Sequence, residues 1–267
     1  MEDDVLTDEM WLRLEPLLPV RERRFRHPGR LRADNRAVLE AILWVARTGV
    51  GWNRVPTSPF GVSGATCWRR LDEWHEAGVW QRLHEQLLGE LRAAGKLDLS
   101  VAIVDSSHLK ALKGRDHVGP SPVDRGKPGS KHHLITEAGG IPLALILTGA
   151  HRNDVIQLLP LLKAIPRIRG TRGRPAQRPR RLYGDRGYDS NPHRAKIRKL
   201  GITPRIARRK TANGSGLGVH RWPVERTFAW LHGFKRLRIR YERRADIHQA
   251  FISLACSWIC LRHLILN

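Results

Sequence analysis

Val101-Ala102-Ile103-Val104-Asp105-Ser106-Ser107-His108 is the stretch on which the fold turns. A short apolar run rich in β-branched residues suits a buried central strand. An aspartate at its end places a carboxylate at the carboxyl edge of a sheet. Before Gly95 the apolar residues recur with a helical period, and after it they recur in short strand-length runs. The chain is therefore expected to divide into a helical domain, residues 1–94, and a second domain, residues 95–267, built on a mixed sheet with flanking helices.

Working upstream, Thr7 has the position of an N-cap, with Leu6 and Trp11 at the spacing of a hydrophobic staple and Asp8 and Glu9 in the first turn. Val38, Leu39, Ile42, Leu43 and Val45 make one apolar face over residues 35–48, which Gly49 ends. A third helix is expected from Ser63, with Arg69 and Arg70 off its apolar stripe, and a fourth over residues 80–94. Helices with basic residues on the last members suggest a helix-turn-helix reader of DNA, although the connection at residues 50–62 is longer than the turn of that motif. A small bundle with a solvated basic face is the plainer alternative.

Downstream, residues 132–136 and 143–148 are expected as strands joined through Gly139 and Gly140, and Asp154 as the cap of a helix through Ala164. Residues 181–183 and 203–207 are expected as strands around a helix at 191–200, with a flexible connector over 210–218. Seven arginines within residues 167–181 mark a solvated loop that seeks phosphate. The apolar run at 250–261 is expected as a buried helix.

A formal net charge of +23 on 267 residues is the footprint of a nucleic-acid partner. No apolar run approaches the ~20 residues of a membrane span, and no lipidation motif or signal peptide is recognised. Cys67, Cys256 and Cys260 do not make a disulfide framework and point to a reducing cytoplasm; Cys256 and Cys260 are expected in the core rather than on zinc.

Between Val155 and Val224 stand eighteen lysines and arginines but only two acids, Asp185 and Asp189. Asp185 follows an expected strand. Glu225 opens a helix that Pro223 is expected to start. If Asp105, Asp185 and Glu225 converge, their mutual repulsion calls for divalent cations, and oxygen-only ligation suits Mg²⁺ or Mn²⁺. Two such ions support in-line displacement at phosphorus. Singly, each acid has a plainer reading: Glu225 complementing the helix dipole, Asp185 in a turn, Asp105 as an N-cap.

On the helical period Glu225 shares its face with Ala229, His232 and Arg236, with Arg221 just before, while Val224, Phe228 and Leu231 face inward. Arg221, His232, Lys235, Arg236, Arg238 and Arg240, with Arg69 and Arg70 upstream, are the candidate DNA contacts. Arg243 and Arg244 extend the track, and Trp230 and Tyr241 offer rings for stacking on unpaired bases. His108, Lys110, His132 and His133 receive no role.

Asp105 after an apolar strand, the run Tyr183-Gly184-Asp185-Arg186-Gly187-Tyr188-Asp189, and Val224-Glu225-Arg226-Thr227-Phe228-Ala229-Trp230-Leu231 resemble bacterial insertion-sequence transposases of the DDE type, in the branch named after insertion sequence five. Residues 39–52 and 77–83 resemble that branch's amino-terminal helices. The resemblance implies a ribonuclease-H-like catalytic domain with Asp105, Asp185 and Glu225 as the triad holding two metal ions. It implies cleavage at the terminal inverted repeats of an insertion sequence, followed by attack of the freed 3′-hydroxyls on target DNA. It also implies double-stranded DNA as partner, a homodimer or larger assembly on it, and a cytoplasmic, nucleoid-associated protein. Relatives carry a Tyr, Arg, Glu, Lys signature; Arg221 and Glu225 match its inner pair, while Gly218 and His232 stand where the tyrosine and lysine would be. A non-catalytic inverted-repeat binder or repressor is the alternative.

Overall fold

The computed structural model describes residues 6–23, 25–210 and 218–266. The helical region begins with α1 (Asp8–Leu14), whose first turn is closed by the Thr7 hydroxyl accepting the Met10 N–H. In α2 (Asn35–Thr48) the expected apolar face is fully buried, and the helix ends where Gly49, at φ 76°, donates its N–H to the Val45 carbonyl. A residue with a side chain is doubly opposed at Gly49, because a Cβ there would also stand 3.0 Å from that of Lys235. The 50–62 connection is not open loop: it holds a 3₁₀ turn (Trp52–Arg54) and the short α3 (Thr57–Phe60). Ser63 caps α4 (Gly64–Glu76), and α5 (Val79–Ala93) follows.

The strand read at 101–104 is longer than its apolar run. It continues through Asp105, Ser106, Ser107 and His108 as β1 (Val101–Ala111), because antiparallel pairing with the later β3 (Pro128–Glu137) holds those polar residues extended, Asp105 opposite Leu134 and His108 opposite Lys131. Asp105 therefore lies mid-strand rather than at a strand end. Between these come β2 (Gly119–Pro120), and after them β4 (Pro142–Gly149), α6 (Asp154–Ala164), β5 (Arg181–Gly184), α7 (Asn191–Lys199) and β6 (Thr203–Ile206). Asn153, not Asp154, caps α6.

The main strands run in the order β4, β3, β1, β5, β6, with β3 antiparallel to both neighbours and β1, β5 and β6 mutually parallel. This is the ribonuclease-H-like arrangement that the sequence reading expects. The connector expected at 210–218 lies, over 211–217, outside the described residues.

Helix α8 (Gly218–Gly233) starts five residues before Pro223, which thus sits inside the helix, and Glu225 lies beyond the first turn. Val224, Phe228 and Leu231 are buried as the period requires. Then come α9 (Lys235–Arg238), a two-residue strand β7 (Ile239–Arg240) added in parallel to the end of β1, and α10 (Ala245–Leu266). The 250–261 run fills the seam between α5 and β4, with Cys256 and Cys260 inside the core as free thiols. Truncating a side chain such as Ile42 or Phe251, both enclosed, would cost about 2 to 5 kcal/mol through the cavity left behind.

Candidate active site

Parallel pairing of β1 with β5 sets Ile103 opposite Tyr183, so two residues further on Asp105, within β1, and Asp185, just past the end of β5, come out at the same level. Asp105 is half-buried: its Oδ1 accepts the Ser106 N–H at 2.8 Å and its Oδ2 accepts Nη2 of Arg221 at 3.0 Å. Burial raises its pKa above the usual carboxylate value, Arg221 opposes that shift, and Asp185 adds to it. Asp185 turns the chain into a 3₁₀ turn (Arg186–Tyr188), its Oδ1 accepting the Gly187 N–H at 2.8 Å. A Cβ on Gly187 would stand 2.9 Å from Asp185 Oδ1 and 3.8 Å from Asp154 Oδ2, so glycine there keeps open the space beside both carboxylates. Beneath them Tyr188 is enclosed; burial raises its phenol pKa, and Asp154, Asp105 and Asp185 raise it further.

Arg221 links the acids. Burial opposes its charge, yet Asp105, then Asp185 and Glu225, hold its pKa up. Its Nη2 is 3.9 Å from Glu225, whose side chain is 61% exposed. The structure thus brings Asp105 and Asp185 together and leaves Glu225 at the rim, joined to them only through a shared guanidinium. The donor set is all carboxylate oxygen, the chemistry a hard divalent ion takes, and the space beside Asp185 is open. Among the described residues, however, no three Asp, Glu, His or Cys side chains stand within reach of one ion.

The arginines separate into two groups. Arg69, Lys235 and Arg238 are exposed, and His232 is half-buried, with a pKa lowered by burial and by Arg238. Arg70, Arg236 and Arg240 correct the sequence reading, because each is buried on protein partners. Arg70 donates to Asn35 Oδ1 and faces Glu73. Arg236 pairs with buried Glu242 at 3.3 Å. Arg240, with no exposed surface, donates to the carbonyls of Asp116 at 2.6 Å and Glu242 at 3.2 Å and to Ser130 Oγ at 3.0 Å. A guanidinium so enclosed cannot reach a phosphate. The rings expected to stack on bases are also engaged: Trp230 carries Arg226 at 4.6 Å, and Tyr241 carries Arg236 at 5.1 Å.

The sequence reading missed one cluster beside this site. Asp154 at the start of α6 takes Lys131 Nζ at 3.1 Å and lies 3.5 Å from Nδ1 of His133, which burial keeps neutral with a pKa lowered to about 4 despite Asp154. The signal was a lysine and two histidines inside a strand of alternating partners. His132 points elsewhere, to His248 at 2.9 Å.

Two family models match the chain. Residues 6–84 match the family model described as "Putative transposase of IS4/5 family", and residues 96–260 match that described as "Transposase DDE domain". Over 147 residues, 55% of this chain and 70% of the relative, the sequence is 65% identical to the "Putative transposase for insertion sequence element IS402" of Burkholderia cepacia. A second protein of that element, described as an uncharacterized 16.2 kDa protein, is 48% identical over 46% of this chain and 84% of its own length. Among solved structures, the Mos1 strand transfer complex aligns over 92% of this chain and 77% of its own at 9% identity, with a TM-score of 0.37. No helix among the described residues is long and apolar enough to cross a membrane.

Proposed function

The chain belongs to the transposase DDE domain family and is a DNA transposase, and from that premise we propose that it cuts at the terminal inverted repeats of an insertion sequence and joins the freed 3′-hydroxyls to target DNA. Membership implies dependence on a divalent metal. The reading is that two ions, Mg²⁺ or Mn²⁺, are held by Asp105, Asp185 and Glu225. When bound, they supply the means to activate an attacking oxygen and to stabilise the leaving one. Residues 95–267 would carry this chemistry and residues 1–94 would hold the repeat. Pairing two ends asks for at least a homodimer on DNA, in the cytoplasm at the nucleoid.

The single observation that supports the reading best is the level placement of Asp105 and Asp185 around one guanidinium. Two carboxylates so close repel, and Arg221 now supplies the positive charge that relieves them. Cations held by these acids would take over that role, and Arg221 would then be free to donate to a non-bridging phosphate oxygen. Glu225, one helical turn beyond Arg221 and near the same guanidinium, would be the third acid to turn towards them. Gly187 keeps the approach beside Asp185 clear.

In a purified-protein assay on repeat-end DNA, Asp185→Asn is expected to abolish Mg²⁺-dependent end cleavage while leaving band-shift affinity intact; unchanged cleavage sinks the reading. A non-catalytic repeat binder is the second reading, favoured by the outward Glu225. Wild-type strand-transfer products would dismiss it.

A further inference from the structure

At the far end of β1 from the acids, a groove of about 1170 Å³ opens between the helical region and the sheet. One wall is the connection from Gly49 to Arg54 after α2; the other is the segment from Lys113 to Asp116 after β1; the floor is the chain from Tyr241 to Arg244. Four of its cations, Arg54, Lys113, Arg115 and Arg243, are exposed, and among the described residues none has a carboxylate within ion-pairing distance. Asp116 is the groove's one acid outside an ion pair, since Glu242 is held by Arg236. Arg244 is already taken by Asp72 at 2.7 Å and by Asp246.

The walls are fixed from beneath by the two buried arginines. Arg236 ties the floor to the α2 side, pairing with Glu242 and reaching the Gly49 carbonyl at 3.5 Å. Arg240 ties the floor to the β1 side through the carbonyls of Asp116, Glu242 and Arg243. The Arg115 N–H donates to the Arg243 carbonyl at 3.2 Å, closing the same corner. The enclosed charge of Arg240 under a lining of four exposed cations makes a strongly positive trough, the charge of Arg236 being offset by Glu242. Trp52 and Trp68, which also line it, are stacked on Arg236 and Arg244 and on Phe251, so they are not free to take bases.

We infer that this groove receives one phosphate backbone of duplex DNA, through sequence-independent contacts from Arg54, Lys113, Arg115 and Arg243. Charge complementarity without free aromatic faces favours a duplex backbone over an unpaired strand. With the duplex axis laid along β1, its place along the DNA follows from the strand. From Asp105 to Ala111 is six residues of strand, about 20 Å at ~3.3 Å per residue, with Lys113 slightly beyond. At ~3.4 Å per base pair this sets the contact roughly 6 to 8 base pairs from the phosphate held at the acids. That register, though not the groove's binding of DNA, rests on the transposase reading.

The test is the quadruple variant R54Q/K113Q/R115Q/R243Q, all exposed positions, with an unchanged melting temperature as its folding control. Binding of a 30-base-pair duplex of arbitrary sequence is followed by fluorescence anisotropy without divalent metal, so the result does not depend on catalysis. Each phosphate contact contributes roughly 0.9 to the slope of log K against log salt, so the variant's slope should be shallower by roughly 3 to 4. Between about 50 and 200 mM salt the wild type then loses roughly a hundredfold more affinity than the variant. A change in slope below one overturns the proposal. So does displacement of the duplex by polyglutamate as effectively as by unlabelled duplex, which would mark an acidic-peptide site. On repeat-end DNA, hydroxyl-radical protection should vanish in the variant at roughly 6 to 8 base pairs from the cut and persist elsewhere; uniform loss also overturns it. If the wild type gives no footprint in register with the element's end, the transposase reading fails while the salt slope still judges the groove.

Discussion

The middle and the far end of β1 handle charge in opposite ways. At Asp105, half-buried carboxylates are left in mutual repulsion with one guanidinium among them, and burial pushes Asp105 towards protonation. At Lys110 and Ala111, where β7 joins, buried Arg240 is held by carbonyls and a hydroxyl and buried Arg236 pairs with Glu242, while the neighbouring cations Lys113, Arg115 and Arg243 stand exposed. Unrelieved charge inside a fold is costly, so where it persists it marks a place kept for an incoming partner; relieved charge marks architecture. The same residue type, arginine, thus serves as counter-ion at one end and as structural staple at the other.

The largest way to break this contrast is at the acids. Asp185→Asn should lower end cleavage by about 10³-fold or more, the upper range for removing a charge-stabilising group from a reaction centre, with binding retained. Next in size is the staple. Arg236→Met leaves Glu242 buried with only His248, 3.9 Å away, beside it and should destabilise by about 3 to 5 kcal/mol, roughly 10 °C in melting temperature. Replacing Glu242 by Leu in the same chain should recover most of that loss; no recovery would mean that Arg236 acts through something other than the pair.

A smaller effect runs in the reverse direction. Because the folded-state pKa of Asp105 is raised, the stability linked to its protonated form is present below the unfolded value of 3.8 and is lost as pH rises through the folded value. Asp105→Asn should therefore melt higher than wild type at neutral pH, with the gain shrinking in acid; a lower melting temperature at pH 7 would show that Asp105 is a structural ion-pair partner of Arg221. Smallest is Arg238→Gln on the exposed side of α9, expected to shift stability within about 0.5 kcal/mol and the salt slope by roughly one.

Much of this was legible in residue order. The face of α2 with its glycine stop, the Thr7 and Ser63 caps and the inward stripe of α8 follow from local rules, and the structure keeps them. Asp105 and Asp185 each follow an apolar strand core, which made a meeting of the two foreseeable. The extension of β1 through Ser106, Ser107 and His108 was not, because polar residues take an extended backbone there only when β3 pairs with them. Nor was the early start of α8, since Pro223 suits a first turn as well as the interior position it occupies.

The order of residues by itself determined the excess of positive charge, the apolar periods and which acids could meet. Only the tertiary structure decided which arginines stay exposed. Arg236, Arg238 and Arg240 are near neighbours in sequence, yet two are enclosed and one is free. Removing a guanidinium from water is offset only by acceptors held around it, and besides local ones at Glu242 and Arg243 these include Gly49, Asp116 and Ser130, from segments more than a hundred residues away.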